Sequence, residues 1–208
     1  MISSLSWVRY LKEDIGATNP ELLTKTNILE DFKLAESASL EGAELAKNYL
    51  QFTKIYTPHF ESCNINDVLK DAASAAKSLA SSLNAKDFAV YLELDENIQN
   101  RELDAGKLKM AFYNLCKNAV EAMVEHRIDK PRLSFISKLQ EKDLLITIAD
   151  NGPGMPKEIA ENLFIPFKTK KEGGTGLGLT IAKKIIDLHV GTIQCHTSEA
   201  GTSFVISI

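Results

Sequence analysis

KTKKEGGTGLGLTIAKKI, residues 168–185, places four glycines within six positions, with lysines before them and an apolar helical pattern directly after. Glycine is costly unless the backbone needs its freedom or something must come close. The order of the glycines is informative. Leu179 and Thr180 follow Gly178, where a P-loop requires Lys and then Ser or Thr. A G-x-G-x-x-G reading also fails, because Leu179 falls where the third glycine belongs. With both common phosphate loops excluded, a glycine loop running into a helix N-terminus remains. Its backbone N–H groups and the helix dipole still favour an anion. Lys168, Lys170 and Lys171 add counter-charge, and FIPF (Phe164–Phe167) puts two aromatics beside a proline, as a hinge or docking loop would.

Two further stretches upstream carry chemistry. From Ala105 to about Glu125, after a capping Asp104, Leu108, Phe112, Leu115, Ala119 and Met123 share one helix face. Asn114, Asn118, Glu121 and Glu125 share the other. Asparagine is a poor helix former, and a solvent face more often carries Glu and Lys. Two Asn one turn apart can offer amide oxygens to a hard cation such as Mg²⁺. DNGPG (Asp150–Gly154) follows the apolar run LLITIA. Its glycines suit a tight turn. Asp150, at the end of a strand, is expected to be partly buried and therefore to need donors, which an adenine amine could supply.

The remainder of the chain sets the frame. It has 208 residues, 44% apolar and 25% charged, with a formal net charge of −4. No basic face suggests nucleic acid. No run is long and apolar enough for a membrane helix, and the first residues lack a signal-peptide pattern. Cys63, Cys116 and Cys195 are odd in number and far apart, which reads as reduced thiols in the cytosol. Residues 1–57 show only helical patterning: Ser4–Asp14 closed by Gly16, then a long helix from Pro20 to Tyr56, loosened near Ser37–Gly42. Together they read as an αα-hairpin, and a helix of that length calls for a partner, most simply a second copy. Pro58 ends it, and HFESCNIND reads as a linker. Residues 58–208 alternate between helix and strand patterns. Helices are expected at Val68–Leu83, Ala105–Glu125 and Gly176–Leu188, and strands at Phe88–Leu94, Leu133–Leu139, Leu144–Ala149, Gly191–His196 and Thr202–Ile208. The expected class is α+β, with three helices on one face of a mostly antiparallel sheet.

Over about residues 20–208 the sequence resembles the catalytic, ATP-binding core of bacterial sensor histidine kinases, within the wider GHKL ATPase superfamily. NLCKNAVEAM (114–123) resembles the N box, DNGPGM the G1 box, and LFIPFKTKKEGGTGLGL the F box running into the G2 box. The resemblance implies a GHKL α/β sandwich that binds Mg-ATP. It makes Asn118 the metal ligand and Asn114 a neighbour of the phosphates. Asp150 becomes the acceptor of the adenine amine, with Gly152 and Gly154 admitting the base. Gly174, Gly176 and Gly178 would surround the phosphates, and Lys171 would be the F-box lysine of nitrogen-regulation-type kinases. Phe167, Thr175 and Leu177 complete the implied nucleotide contacts. Many relatives carry Lys or Arg three positions after the metal Asn, where this chain has Glu121.

The first helices resemble the end of a dimerisation and phosphotransfer domain, which places the phosphoacceptor His a few residues before Met1. His59, His126, His189 and His196 all lack the usual following Glu/Asp-x-x-Asn-Pro. The expected function is therefore a kinase core acting on a histidine outside this chain, as a homodimer, with a response-regulator receiver domain as a further partner. GHKL hydrolases use a Glu one turn before the metal Asn, and Asn114 occupies that place. A nucleotide-binding regulator, or a serine kinase of the anti-sigma type, is the remaining alternative; the long helical stem speaks against the latter.

Overall fold

The computed structural model describes residues 4–18, 26–54, 57–141, 143–169 and 175–208. The chain divides into two compact units, Met1–Leu50 with Lys171–Thr175, and Gln51–Lys170 with Gly176–Ile208. In the first unit α1 spans Ser4–Thr18 and α2 begins at Thr26 and runs to Lys54. The helix α1 passes through Gly16 instead of stopping there, and α2 is unbroken across Ser37–Gly42. A lone glycine costs a helix only about 1 kcal/mol, which neighbouring residues readily offset. The expected start at Pro20 and end at Tyr56 lie outside the described residues. Arg9 Nε donates to Glu36 Oε1 at 3.2 Å, tying α1 to α2.

In the second unit the elements run β1 (Glu61–Cys63), α3 (Ile65–Ser82), β2 (Ala89–Leu94), β3 (Arg101–Leu103), α4 (Ala105–Glu125), β4 (Arg132–Gln140), β5 (Asp143–Asp150), α5 (Lys157–Ala160), α6 (Gly178–Leu188), β6 (Thr192–Ser198) and β7 (Gly201–Ser207). Five strands form one sheet in the order β2-β4-β5-β7-β6, with β2 parallel to β4 and the other neighbours antiparallel. The supposed linker HFESCNIND is not all linker: β1 pairs antiparallel with β3 in a separate ribbon. Three-residue strands carry too little alternation to show in a sequence. Through the middle of β4, β5 and β7 alternate residues are buried, among them Leu133, Phe135, Ile146, Ile148, Phe204 and Ile206. This period of two turns one sheet face toward the helices. α3 presents Ala72, Ala73, Ala76 and Ala80, and α4 packs against both α3 and α6. The architecture is the expected α/β sandwich.

A buried carboxylate anchors the N-terminal end of α4. Asp104 Oδ1 accepts from Lys107 N at 2.9 Å, and Oδ2 accepts from Lys107 Nζ and from His59 N, both at 2.8 Å. Lys107 Nζ also donates to Thr57 O at 2.7 Å. The backbone N–H of Asp104 donates to His189 Nε2 at 3.0 Å, and His189 Nδ1 lies 2.7 Å from Ile185 O. A carbonyl can only accept, so Nδ1 carries the proton and the ring is the neutral tautomer. Phe60 meets the same ring edge to face, with centroids 5.3 Å apart. Burial pushes the Asp104 carboxyl up, but the bonds from His59 and Lys107 outweigh it and hold it below the ordinary range. Asp104→Ala is expected to cost about 2 kcal/mol or more, combining a lost N-cap with donors left unpaired. Because the folded pKa is depressed, the contribution is fully present above the unfolded value of about 3.9 and is lost as pH falls through the folded value. Denaturant unfolding of both proteins should show a constant gap from neutrality to about pH 4, narrowing below.

Candidate functional site

On α4 the strip carrying Asn114 and Asn118 is half-buried, whereas Glu125 is exposed. Asn114 Nδ2 donates back to Met110 O at 3.1 Å, which fixes the amide and turns its Oδ1 outward. That oxygen faces the start of α6: a Cβ built on Gly178 would lie 3.2 Å from it. Gly178 is thus glycine for close approach, and the first turn of α6 is set directly against the Asn strip. α6 begins without a side-chain cap. An uncapped helix start concentrates N–H donors and positive dipole, the arrangement that suits a phosphate. Leu177 is fully buried and anchors this end, and Ile181 N donates to its carbonyl at 2.8 Å.

Asp150 ends β5, and the loop after it meets α4 where Gly152 lies against Met123. Its Oδ1 accepts from Gly152 N at 2.7 Å and from Thr202 N at 3.2 Å. Both bonds fall on one oxygen, so Oδ2 keeps lone pairs for an incoming donor. Burial raises the Asp150 pKa, and the bonds from Gly152 and Thr202 pull against it without cancelling it. The G1-type loop is built by contact. A Cβ on Gly152 would meet Asp150 Oδ1 at 2.8 Å, and Met123 of α4 stands just behind. At Gly154, φ is +68° and a Cβ would fall 1.9 Å from Ser198 O. No other residue fits there.

The connection to α6 is pinned at several points. Thr180 Oγ1 donates to Phe164 O at 3.1 Å, and Phe167 N donates to Gly176 O at 3.2 Å. Phe167 has φ of 61° and a largely exposed ring, an unusual backbone state for an aromatic residue. Gly176, at φ +65°, lets the two chain segments cross, since a Cβ would sit 2.7 Å from Phe167 C. Thr175 is half-buried. Lys171 and Gly174 lie outside the described residues.

The structure therefore brings Asn114, Gly178 and Leu177 together, and places Asp150, Gly152 and Gly154 at the sheet end, with Met123 spanning from α4 to Gly152. It also adds residues that sequence reading passed over. Thr202 donates to Asp150, its hydroxyl lies 3.3 Å from Thr197 Oγ1, and Thr197 Oγ1 accepts from Met155 N at 2.9 Å. Gly201, at φ +131°, lets β7 approach so closely that a Cβ would fall 2.0 Å from Asp150 O. The available signal was the Gly-Thr pair opening the last strand, which taken alone is ordinary turn chemistry. Among the described residues no cluster of three or more His, Cys, Asp or Glu could hold a metal. An Asn amide oxygen facing an uncapped helix start is chemically a fitting partner for Mg²⁺, which keeps most of its ligands as water and phosphate.

A family model described as histidine kinase-, DNA gyrase B-, and HSP90-like ATPase matches residues 103–208. The sensory histidine kinase/phosphatase NtrB of Rhodobacter capsulatus is 33% identical over 191 residues, covering 86% of this chain and 53% of that protein. Sporulation kinase B of Bacillus subtilis is 33% identical over 180 residues, covering 86% of this chain and 40% of that protein. The chain thus spans about half, or less, of these curated relatives. Among solved structures, the catalytic domain of the histidine kinase ThkA is 29% identical with a TM-score of 0.62, over 72% of this chain and 95% of that one. A structure of ThkA in complex with the response regulator protein TrrA is 22% identical with a TM-score of 0.69, over 97% of this chain and 58% of that one, a likeness of fold.

Asp150→Asn is expected to separate stability from recognition. The amide oxygen can keep the bonds from Gly152 and Thr202 but offers an NH₂ where an adenine amine needs an acceptor. The raised folded pKa of Asp150 means that its ionised form costs stability above that pKa, a cost relieved as pH falls through it. The variant should therefore melt higher than the wild type at neutral pH, with the difference shrinking on acidification. Its affinity for adenine nucleotides should drop about tenfold or more by calorimetry.

Proposed function

The chain belongs to the histidine kinase-, DNA gyrase B-, and HSP90-like ATPase family, and we propose that it is a histidine kinase core that binds Mg-ATP and transfers the γ-phosphoryl group to a histidine of a two-component system. Residues 58–208 form the ATP-binding domain in this reading, and residues 1–57 a dimerisation stem. The observation that carries it is Asn114. This neutral amide, held by Met110 O, faces the start of α6 where a hydrolase of the wider superfamily would place a carboxylate base. A site without that base favours transfer to a protein acceptor over transfer to water.

Asp150 would accept the adenine amine through Oδ2, and the first-turn N–H groups of α6, with Gly176 and Gly178, would take the phosphates. Asn118 would hold Mg²⁺, whose contribution when bound is to neutralise charge on the phosphate oxygens. Lys171 and Gly174 join the set by resemblance alone. His189 is excluded as an acceptor, because both ring nitrogens are committed within the fold. A receiver domain is the proposed partner for onward transfer, supported by the solved complex of ThkA with the response regulator protein TrrA. The three cysteines are free, which suits the cytoplasm, and no helix among the described residues is long and apolar enough to cross a membrane.

Two experiments test this reading. Incubated with labelled ATP, Mg²⁺ and a separate phosphotransfer domain carrying His, the chain should place acid-labile, alkali-stable label on that domain. Asn118→Ala should reduce the transfer at least a hundredfold, a loss of about 2.7 kcal/mol of stabilisation. Steady release of inorganic phosphate without label on the partner would favour a hydrolase instead. For the stem, the 29-residue α2 is about 44 Å long and exposes Leu34 at 70% and Leu40 at 52%. Light scattering should report a dimer at micromolar protein, and a monomer once residues 1–57 are removed.

A further inference from the structure

The loop that follows β5 is fastened at both ends. At the first, Gly152 N donates to Asp150 Oδ1 at 2.7 Å. At the second, Met155 N donates to Thr197 Oγ1 at 2.9 Å, 42 residues further along the chain. β7 lies between β5 and β6 in the sheet, so the loop crosses the end of β7 to reach Thr197 on β6. It lies close on the β6–β7 hairpin, where Thr197 pairs with Thr202 and Ser198 with Gly201. A Cβ on Gly154 would fall 1.9 Å from Ser198 O and 3.1 Å from Thr197 Oγ1, and one on Gly201 would fall 3.0 Å from Asn151 Cα.

The two fastenings differ in kind. The Asp150 bond is local, a side chain closing a turn two residues on. The Thr197 bond comes from a distant strand and continues beyond it. Its hydroxyl oxygen lies 3.3 Å from Thr202 Oγ1, and Thr202 N donates to Asp150 Oδ1 at 3.2 Å. From Asp150 along the loop to Met155, then through Thr197 and Thr202 back to Asp150, the contacts close a ring. That ring holds both the carboxylate with the uncommitted oxygen and the backbone of Gly152, Pro153 and Gly154. Glycine has the most conformational freedom to lose, and this short segment contains two. Ordering it before a ligand arrives removes a cost that binding would otherwise meet. A valine at 197 would have nearly the same shape and suit a strand equally. What threonine adds is the oxygen that meets Met155 N.

We propose that Thr197 is a positioning residue for the base end of the nucleotide site: its hydroxyl holds the Gly152–Gly154 loop beside Asp150 in the shape that receives adenine. This rests on the ATP-binding reading given above. Thr197 acts through the loop and touches no ligand atom, so its contribution is the same whichever phosphates the nucleotide carries.

The test compares Mg-ATP and AMP by calorimetry in the full chain, because the two share the base and differ in the terminal phosphates. Thr197→Val should weaken both about fivefold, the scale of one neutral hydrogen bond. Thr197→Ser, which keeps the oxygen, should bind both as the wild type does. Hydrogen exchange followed by NMR on the free protein supplies the second readout. In Thr197→Val the amides of Gly152, Gly154 and Met155 should exchange faster, with those of β6 and β7 unchanged. Unchanged affinity for both nucleotides in Thr197→Val would overturn the proposal. A loss confined to Mg-ATP would do the same, because it would put the effect at the phosphate end. Faster exchange throughout β6 and β7 would mark a merely structural role and overturn it as well. A wild-type chain that binds neither nucleotide would overturn the ATP-binding reading itself, and the proposal with it.

Discussion

The hydrogen bond from Asp104 N to His189 Nε2 fixes the relation between the two helices that matter most. It joins the residue that opens α4 to the residue that closes α6. At the far end of α6, Gly178 rests against Asn114, ten residues along α4. The two helices thus run antiparallel, pinned at both ends, and the rise per residue makes the two spans nearly equal. The register that brings a glycine helix start onto an asparagine amide is set by a pin one helix length away. Every donor and acceptor in it is matched: the His189 ring can accept from Asp104 only because its other nitrogen donates to Ile185 O. The Asp104 carboxylate in turn holds Lys107 and His59, and Lys107 Nζ donates to Thr57 O, so the segment after α2 is fastened to the same point.

Topology explains why those helices are neighbours. α4 connects β2 to β4, which are parallel and adjacent; α6 follows β5 and precedes β6, which run parallel on either side of β7. Each is a crossover, and the two helices pack against each other over the buried face of the sheet. Strands that alternate buried and open residues supply a single apolar floor for both. Asp150 ends the central strand of that sheet, where Gly201 lets β7 press against it and Thr202 donates to its carboxylate. A sheet end, a helix middle and a helix start converge without any long-range motif in the sequence.

The site carries strain and uncompensated charge that the rest of the fold must support. Asp150 is kept partly buried with one oxygen uncommitted, which raises its pKa and costs stability while the carboxylate is ionised. Phe167 adopts a left-handed backbone, closed by its bond to Gly176 O. Such features persist where surrounding contacts over-determine them. Here the supports are the core residues of α4 and α6, almost all of them buried. The price of recognition is spread over a layer that does nothing but pack.

Much of this is legible in the sequence alone. The two-faced pattern of Ala105–Glu125, the capping Asp104, the strand ending in Asp150 and the glycine run before α6 are local statements, and side-chain period and turn chemistry express them directly. The α+β class followed from their order, and α4 and the β4–β5 hairpin fell within one or two residues of their expected places. The β1–β3 ribbon was missed because three residues have no measurable period, and the persistence of α1 through Gly16 was missed because a helix can absorb one glycine. What the sequence could not contain was distance between residues far apart in the chain. Nothing local says that His189 lies 3.0 Å from Asp104 N, that Thr202 donates to Asp150, or that Gly178 is small because Asn114 stands opposite. Those facts exist only once two crossover helices are laid on one sheet face, because a hydrogen bond depends on the position of both partners and a sequence specifies each partner's chemistry alone.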